Sequence, residues 1–66
     1  SKELNDRQRS VIEFLKKQKI AQMNEIEKAL EGYSRNTLKK DMVYLVNEGL
    51  ILKTGEGKGT RYHYQE

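Results

Sequence analysis

The chain contains no cysteine, so neither a disulfide framework nor a thiolate metal site is open to it. Its single histidine, His63, cannot assemble a metal site without carboxylates gathered around it. No apolar run approaches the length of a membrane span or a signal-peptide core, which reads as a soluble, cytoplasmic domain with no membrane partner. No nucleophile, base and metal set converges, and no carboxylate pair stands apart from the solvated charge, so neither an enzyme nor a cofactor is expected. An initiator methionine is missing as well. The chain begins at Ser1, which fits a fragment excised from a larger protein.

What is present amounts to 66 residues, one domain near the lower limit at which packing alone sustains a fold. Charged residues make up 35% of it for a net of only +3, so their distribution matters more than their sum. The basic surplus is one over Ser1–Tyr33 and two over Ser34–Glu66. That mild excess fits nucleic acid, but many domains that never touch it share the same balance.

Along the chain, "LNDRQRSVIEFLKKQ" predicts a first helix capped by Asn5, with Gln8 completing a capping box and Leu4 placed as a hydrophobic staple. Val11, Ile12 and Leu15 form its apolar stripe, and Phe14 widens it. Ile20 then anchors a short extended segment suited to pairing with a later strand edge. "MNEIEKAL" predicts a short second helix capped between Gln22 and Asn24, with Ile26, Ala29 and Leu30 inward and Gly32 as its end. After a corner of about three residues around Gly32 and Tyr33, Ser34 caps a third helix over about 35–48. There Leu38, Met42 and Leu45 repeat at helical spacing, and Gly49 supplies a left-handed stop. "LILKT" and "RYHYQ" alternate as two antiparallel strands around "GEGKG". The fold class is therefore α+β. Three helices precede a two-stranded hairpin, with a minor third strand near Ile20, in a winged helix-turn-helix arrangement.

Rotation by 100° per residue puts Leu38, Asp41, Met42 and Leu45 on one side of the third helix and Asn36, Lys39, Lys40 and Val43 on the other. In helix-turn-helix docking the N-terminal half of this helix enters the major groove of double-stranded DNA. Arg35, Asn36, Thr37, Lys39 and Lys40 stand where such contacts are made. The bland alternative is that these cations only keep an exposed helix solvated. Lys58 at the hairpin tip and Arg61 behind it are placed to meet phosphates or a minor groove, with the hairpin over about 55–61 as the wing. The glycines equally suit a turn with no partner. A phosphate-binding loop is excluded because "GKGT" leads into a strand rather than a helix. Tyr62 and Tyr64 alternate away from Arg61 and His63 and are expected to cover the core. Asp41, beside the core face, is expected to pair with a nearby lysine or arginine.

The stretch "SRNTLKKDMVYLVNEGLILKTGEGKGTRYHY" resembles the winged helix-turn-helix of many bacterial and archaeal regulators. It is similar in particular to the small C-terminal winged domain of Fic-family proteins, and DeoR-like regulators share much of the helix pattern. The resemblance runs from about Leu4 to Tyr64. It implies DNA binding through Ser34, Arg35, Asn36, Thr37, Lys39 and Lys40, with Lys58 and Arg61 in the wing, and a role in transcription regulation. Glu31 lengthens the corner after the second helix, and Tyr33 replaces a small aliphatic residue. The rival expectation is a winged helix used for protein contact or homodimerisation, or for contact with other domains of a parent protein, seeded by Val43 and Tyr44.

Overall fold

In the computed structural model, which describes residues 3–65, α1 (Asp6–Gln18) begins at the capping box predicted for it. The Gln8 N–H donates to Asn5 Oδ1 at 2.7 Å, and the Asn5 N–H donates to Gln8 Oε1 at 3.1 Å. Two donors that a helix start leaves unpaired are thereby satisfied. Leu4, just ahead of the cap, packs on the core, which α1 enters through Val11, Ile12 and Leu15, with Phe14 at its edge. Lys19 ends α1 at φ 73°, and its N–H donates to the Leu15 carbonyl at 2.8 Å. This reversal sends the chain into β1 (Ile20–Ala21).

α2 (Met23–Ala29) is shorter than its sequence suggests, because the helix stops three residues before Gly32. Leu30 caps it, donating its N–H to the Ile26 carbonyl at 3.0 Å, and Gly32 at φ 101° serves the connection instead. The corner before α3 (Arg35–Asn47) thus spans residues 30–34 rather than about three. Ala29, expected inward, is exposed. Met23, Ile26 and Leu30 define the inward stripe, and Ala29 lies well round the helix from its centre.

α3 has the predicted phase. Ser34 Oγ accepts the Thr37 N–H at 3.2 Å as its cap, and Leu38, Asp41, Met42 and Leu45 are buried. The helix ends at Asn47, and Gly49 at φ 76° turns the chain as foreseen. Asp41 is 3% exposed and finds its basic partner in Arg7 of α1. Arg7 Nη2 donates to Asp41 Oδ1 at 3.0 Å, Arg7 Nε donates to Oδ2, and Gln8 Nε2 donates to Oδ1 at 3.1 Å. The hydrogen-bonded carboxylate raises Arg7 above the ordinary arginine range. The guanidinium also lies 5.7 Å from the centroid of Tyr33, so one arginine ties α1 to α3 and to the corner before it.

β2 (Ile51–Thr54) and β3 (Arg61–Tyr64) form the hairpin, and the sheet order is β1-β3-β2, antiparallel throughout. The minor third strand therefore exists, with Ile20 opposite His63 and Ala21 opposite Tyr62. Its anchor is not Ile20, which is 44% exposed, but Ala21, which is 1% exposed. Because side chains alternate with period two, the register puts Ile20, His63 and Leu52 outward in one row. Ala21, Tyr62 and Tyr64 face the helices, and both tyrosines pack on the core as expected. The architecture is the winged helix read from the sequence.

Candidate nucleic-acid interface

α3 presents a stripe opposite its buried face. Asn36, Lys39, Lys40 and Val43 are all exposed, Val43 by 60%. None of the three polar members makes a hydrogen bond or ion pair with the described residues, so their donors face solvent. Ser34 and Thr37 are engaged with each other, hydroxyl to hydroxyl at 2.9 Å, in addition to the cap bond. They hold the N-terminal end of α3 in shape while remaining at its surface.

Arg35 behaves differently from an unpartnered basic side chain. Its Nη1 donates to Glu27 Oε2 of α2 at 2.8 Å, the Arg35 side chain being 53% exposed and that of Glu27 28%. The charge of Arg35 also reaches Tyr62: burial pushes the Tyr62 hydroxyl above the ordinary tyrosine range, and Arg35 opposes that shift. The start of α3 is thereby tied to α2.

The hairpin tip is more structured than a flexible turn. Gly55 at φ 79° and Gly57 at φ 54° adopt left-handed backbone, and Gly57–Gly59 form a single 3-10 turn. The Gly59 N–H donates to the Glu56 carbonyl at 2.9 Å and the Thr60 N–H to that of Gly57 at 3.2 Å. The two arms touch at the neck of the loop, where a Cβ on Gly55 would sit 2.9 Å from the Gly59 carbonyl carbon and closer to its oxygen. Glycine is required there twice over, by conformation and by space. Gln22 Nε2 reaches across to the Lys58 carbonyl at 3.3 Å, fastening the tip to the start of α2. Lys58 itself is exposed.

These elements converge on an open cleft of about 290 Å³ lined by Gln22, Asn24, Arg35, Gly57 and Lys58. The cleft brings together one predicted residue from α3 and one from the wing. Arg61 lies apart from it and departs from expectation. It is half-buried rather than exposed, and its Nη1 is buried without a hydrogen-bond partner among the described residues. Sequence reasoning missed Glu27 and Gln22. No local spacing signals either one, since the partners lie eight and 36 residues away.

Among the described residues no group of three His, Asp or Glu side chains could hold a metal ion, and no helix is long and apolar enough to cross a membrane. No curated protein and no solved structure matches the chain. A family model does: residues 7–59 match the DeoR-like helix-turn-helix domain, a DNA-binding module and one of the two families that the sequence resembles. Since that match covers α1, α2, α3 and the wing as far as its tip, the chain belongs to the DeoR-like helix-turn-helix domain family.

Proposed function

We propose that this domain acts in transcription regulation by placing the N-terminal half of α3 in the major groove of double-stranded DNA and laying the wing on the flanking backbone. The observation that carries the reading is the shared cleft, where Arg35 at the start of α3 and Lys58 at the wing tip face one open space. A duplex seated on α3 meets the wing without any rearrangement of the fold. Arg35 and Asn36 are the base readers, since guanidinium and amide groups match guanine and adenine edges. Ser34, Thr37, Lys39, Lys40 and Lys58 hold phosphates. Arg61 joins them by swinging outward, a movement that releases its Nη1 from a buried position without a partner. The domain forms one unit of a larger regulator.

Titration against random-sequence duplex at several salt concentrations tests this. Wild-type affinity falls steeply with salt, and replacing Lys58 and Arg61 together by alanine flattens the log–log slope by about two units, close to one per phosphate lost. Binding that does not respond to salt sinks the reading. A second reading, a protein-contact or dimerisation module, is favoured by Val43, which is 60% exposed and borders a shallow notch with Met42, Val46 and Tyr62. Sedimentation that depends on protein concentration, together with no DNA affinity at low salt, selects it.

A further inference from the structure

The Arg35–Glu27 pair is a link between the two helices of the helix-turn-helix motif, and it engages one nitrogen only. Arg35 Nε and Nη2 make no hydrogen bond with the described residues. A guanidinium with one corner held and two neighbouring donors open is suited to the O6 and N7 acceptors of a guanine, which lie side by side on the major-groove edge. We infer that Glu27 is a positioning residue for Arg35: it selects one orientation of the guanidinium at the DNA surface and so sets a preference for guanine at one position of the site. The inference rests on the DNA-binding reading above.

Charge considerations separate this role from a general contribution to affinity. A carboxylate beside the groove repels phosphate, so Glu27 opposes sequence-independent binding. Its favourable effect is confined to ordering a long side chain before the base is met, which removes a rotamer cost otherwise incurred on binding. The Glu27 side chain is largely covered, so the pair is less exposed to solvent than the other acid–base pairs on the surface, such as Arg9 with Asp6. Removal of Glu27 therefore moves two observables in opposite directions. A contact that merely stabilised the fold would weaken both.

The experiment begins with selection of a preferred duplex from a random library by the wild-type domain. Affinity is then measured on that duplex, on the same duplex with each guanine changed in turn to adenine, and on random duplex. Wild type is expected to lose about tenfold or more at one guanine. Arg35→Ala and Glu27→Ala both lose that discrimination, and the double variant loses no more than Arg35→Ala alone. On random duplex Glu27→Ala binds about two- to fivefold more tightly than wild type, a modest gain of the size expected when one repelling charge is removed. Glu27→Gln keeps an acceptor for Nη1, so it shows the same gain while retaining part of the guanine preference. Undiminished discrimination in Glu27→Ala overturns the inference, as does equal weakening on all duplexes with a lowered melting temperature. Discrimination that survives in Arg35→Ala overturns it while leaving DNA binding intact. Absence of wild-type binding to any duplex at low salt instead overturns the functional reading on which it stands.

Discussion

Three glycines of this chain should respond to alanine in three grades, and the order follows from geometry alone. Gly59 has ordinary backbone and open space where a Cβ would point, so Gly59→Ala is expected to change stability by no more than about 0.5 kcal/mol. Gly49 also has open space but sits at φ 76°, where an L side chain costs about 1–2 kcal/mol. The loss of unfolded-chain entropy returns about 0.4–1 kcal/mol of this, leaving a net cost near 1 kcal/mol. Gly55 has the same conformational penalty at φ 79°, and its Cβ would also overlap the backbone of Gly59. Backbone cannot swing aside as a side chain does, so the neck of the loop must open. Opening it gives up the turn bonds Gly59 N–H to Glu56 and Thr60 N–H to Gly57, each worth about 1 kcal/mol net. Gly55→Ala is therefore expected to cost about 2–3 kcal/mol. In a domain of this size each kcal/mol shifts the melting temperature by about 4–8 °C, so circular-dichroism melts resolve the three variants. Gly55→Ala should also misplace Lys58 and flatten the salt dependence of DNA binding, which Gly49→Ala should not. Equal melting of Gly55→Ala and Gly49→Ala would refute the reasoning, because the neck contact would then carry no weight.

The opposed faces of α3 predict that Leu38→Ala costs about 2–5 kcal/mol, a large share of the stability of so small a domain, while Lys39→Ala leaves the melt within a few degrees and weakens DNA binding. Similar melts for the two variants would mean that the helix is phased otherwise. Arg7→Met should lower the melting temperature well beyond Arg9→Met, because it leaves the buried Asp41 carboxylate with Gln8 as its remaining partner, whereas Arg9 pairs with an exposed Asp6. Adding Asp41→Leu to Arg7→Met should recover part of the loss, and failure to recover any would count against an uncompensated charge as the cause. The raised Tyr62 hydroxyl predicts a loss of stability at alkaline pH. Below about pH 10 both folded and unfolded states hold the proton; above it the unfolded chain releases its proton first and is favoured. Denaturant titrations of wild type and Tyr62→Phe should therefore diverge as pH rises past about 10, with wild type falling faster, and parallel curves would contradict the burial of that hydroxyl.

The parts of this fold legible in the sequence are those fixed by local chemistry. Asn5 with Gln8, Ser34 ahead of a helical repeat, and Gly49 after it each satisfy a requirement within a few residues of themselves, so their pattern is complete in one dimension. Asp41 was legible for a different reason. A carboxylate phased onto a buried face needs a partner, although nothing nearby reveals that the partner is Arg7, 34 residues away. Where two rules compete, the pattern misleads. Gly32 suggests a helix end, but the backbone already leaves helical dihedrals at Leu30, which packs against the core, and α2 ends at Ala29. Ile20 suggests an anchor by its hydrophobicity, yet pairing with β3 fixes the register, and period two then turns Ala21 inward and Ile20 out. The candidate site shows the same division. Exposure of Asn36, Lys39 and Lys40 follows from helix phase, whereas the holding of Arg35 by Glu27 depends on how α2 crosses α3, and the five-residue corner sets that crossing. Phase along a helix identifies which residues face a partner. Their preorganisation is a property of the crossing, and the guanine preference proposed for Arg35 would change with the corner even if every residue of α3 were kept.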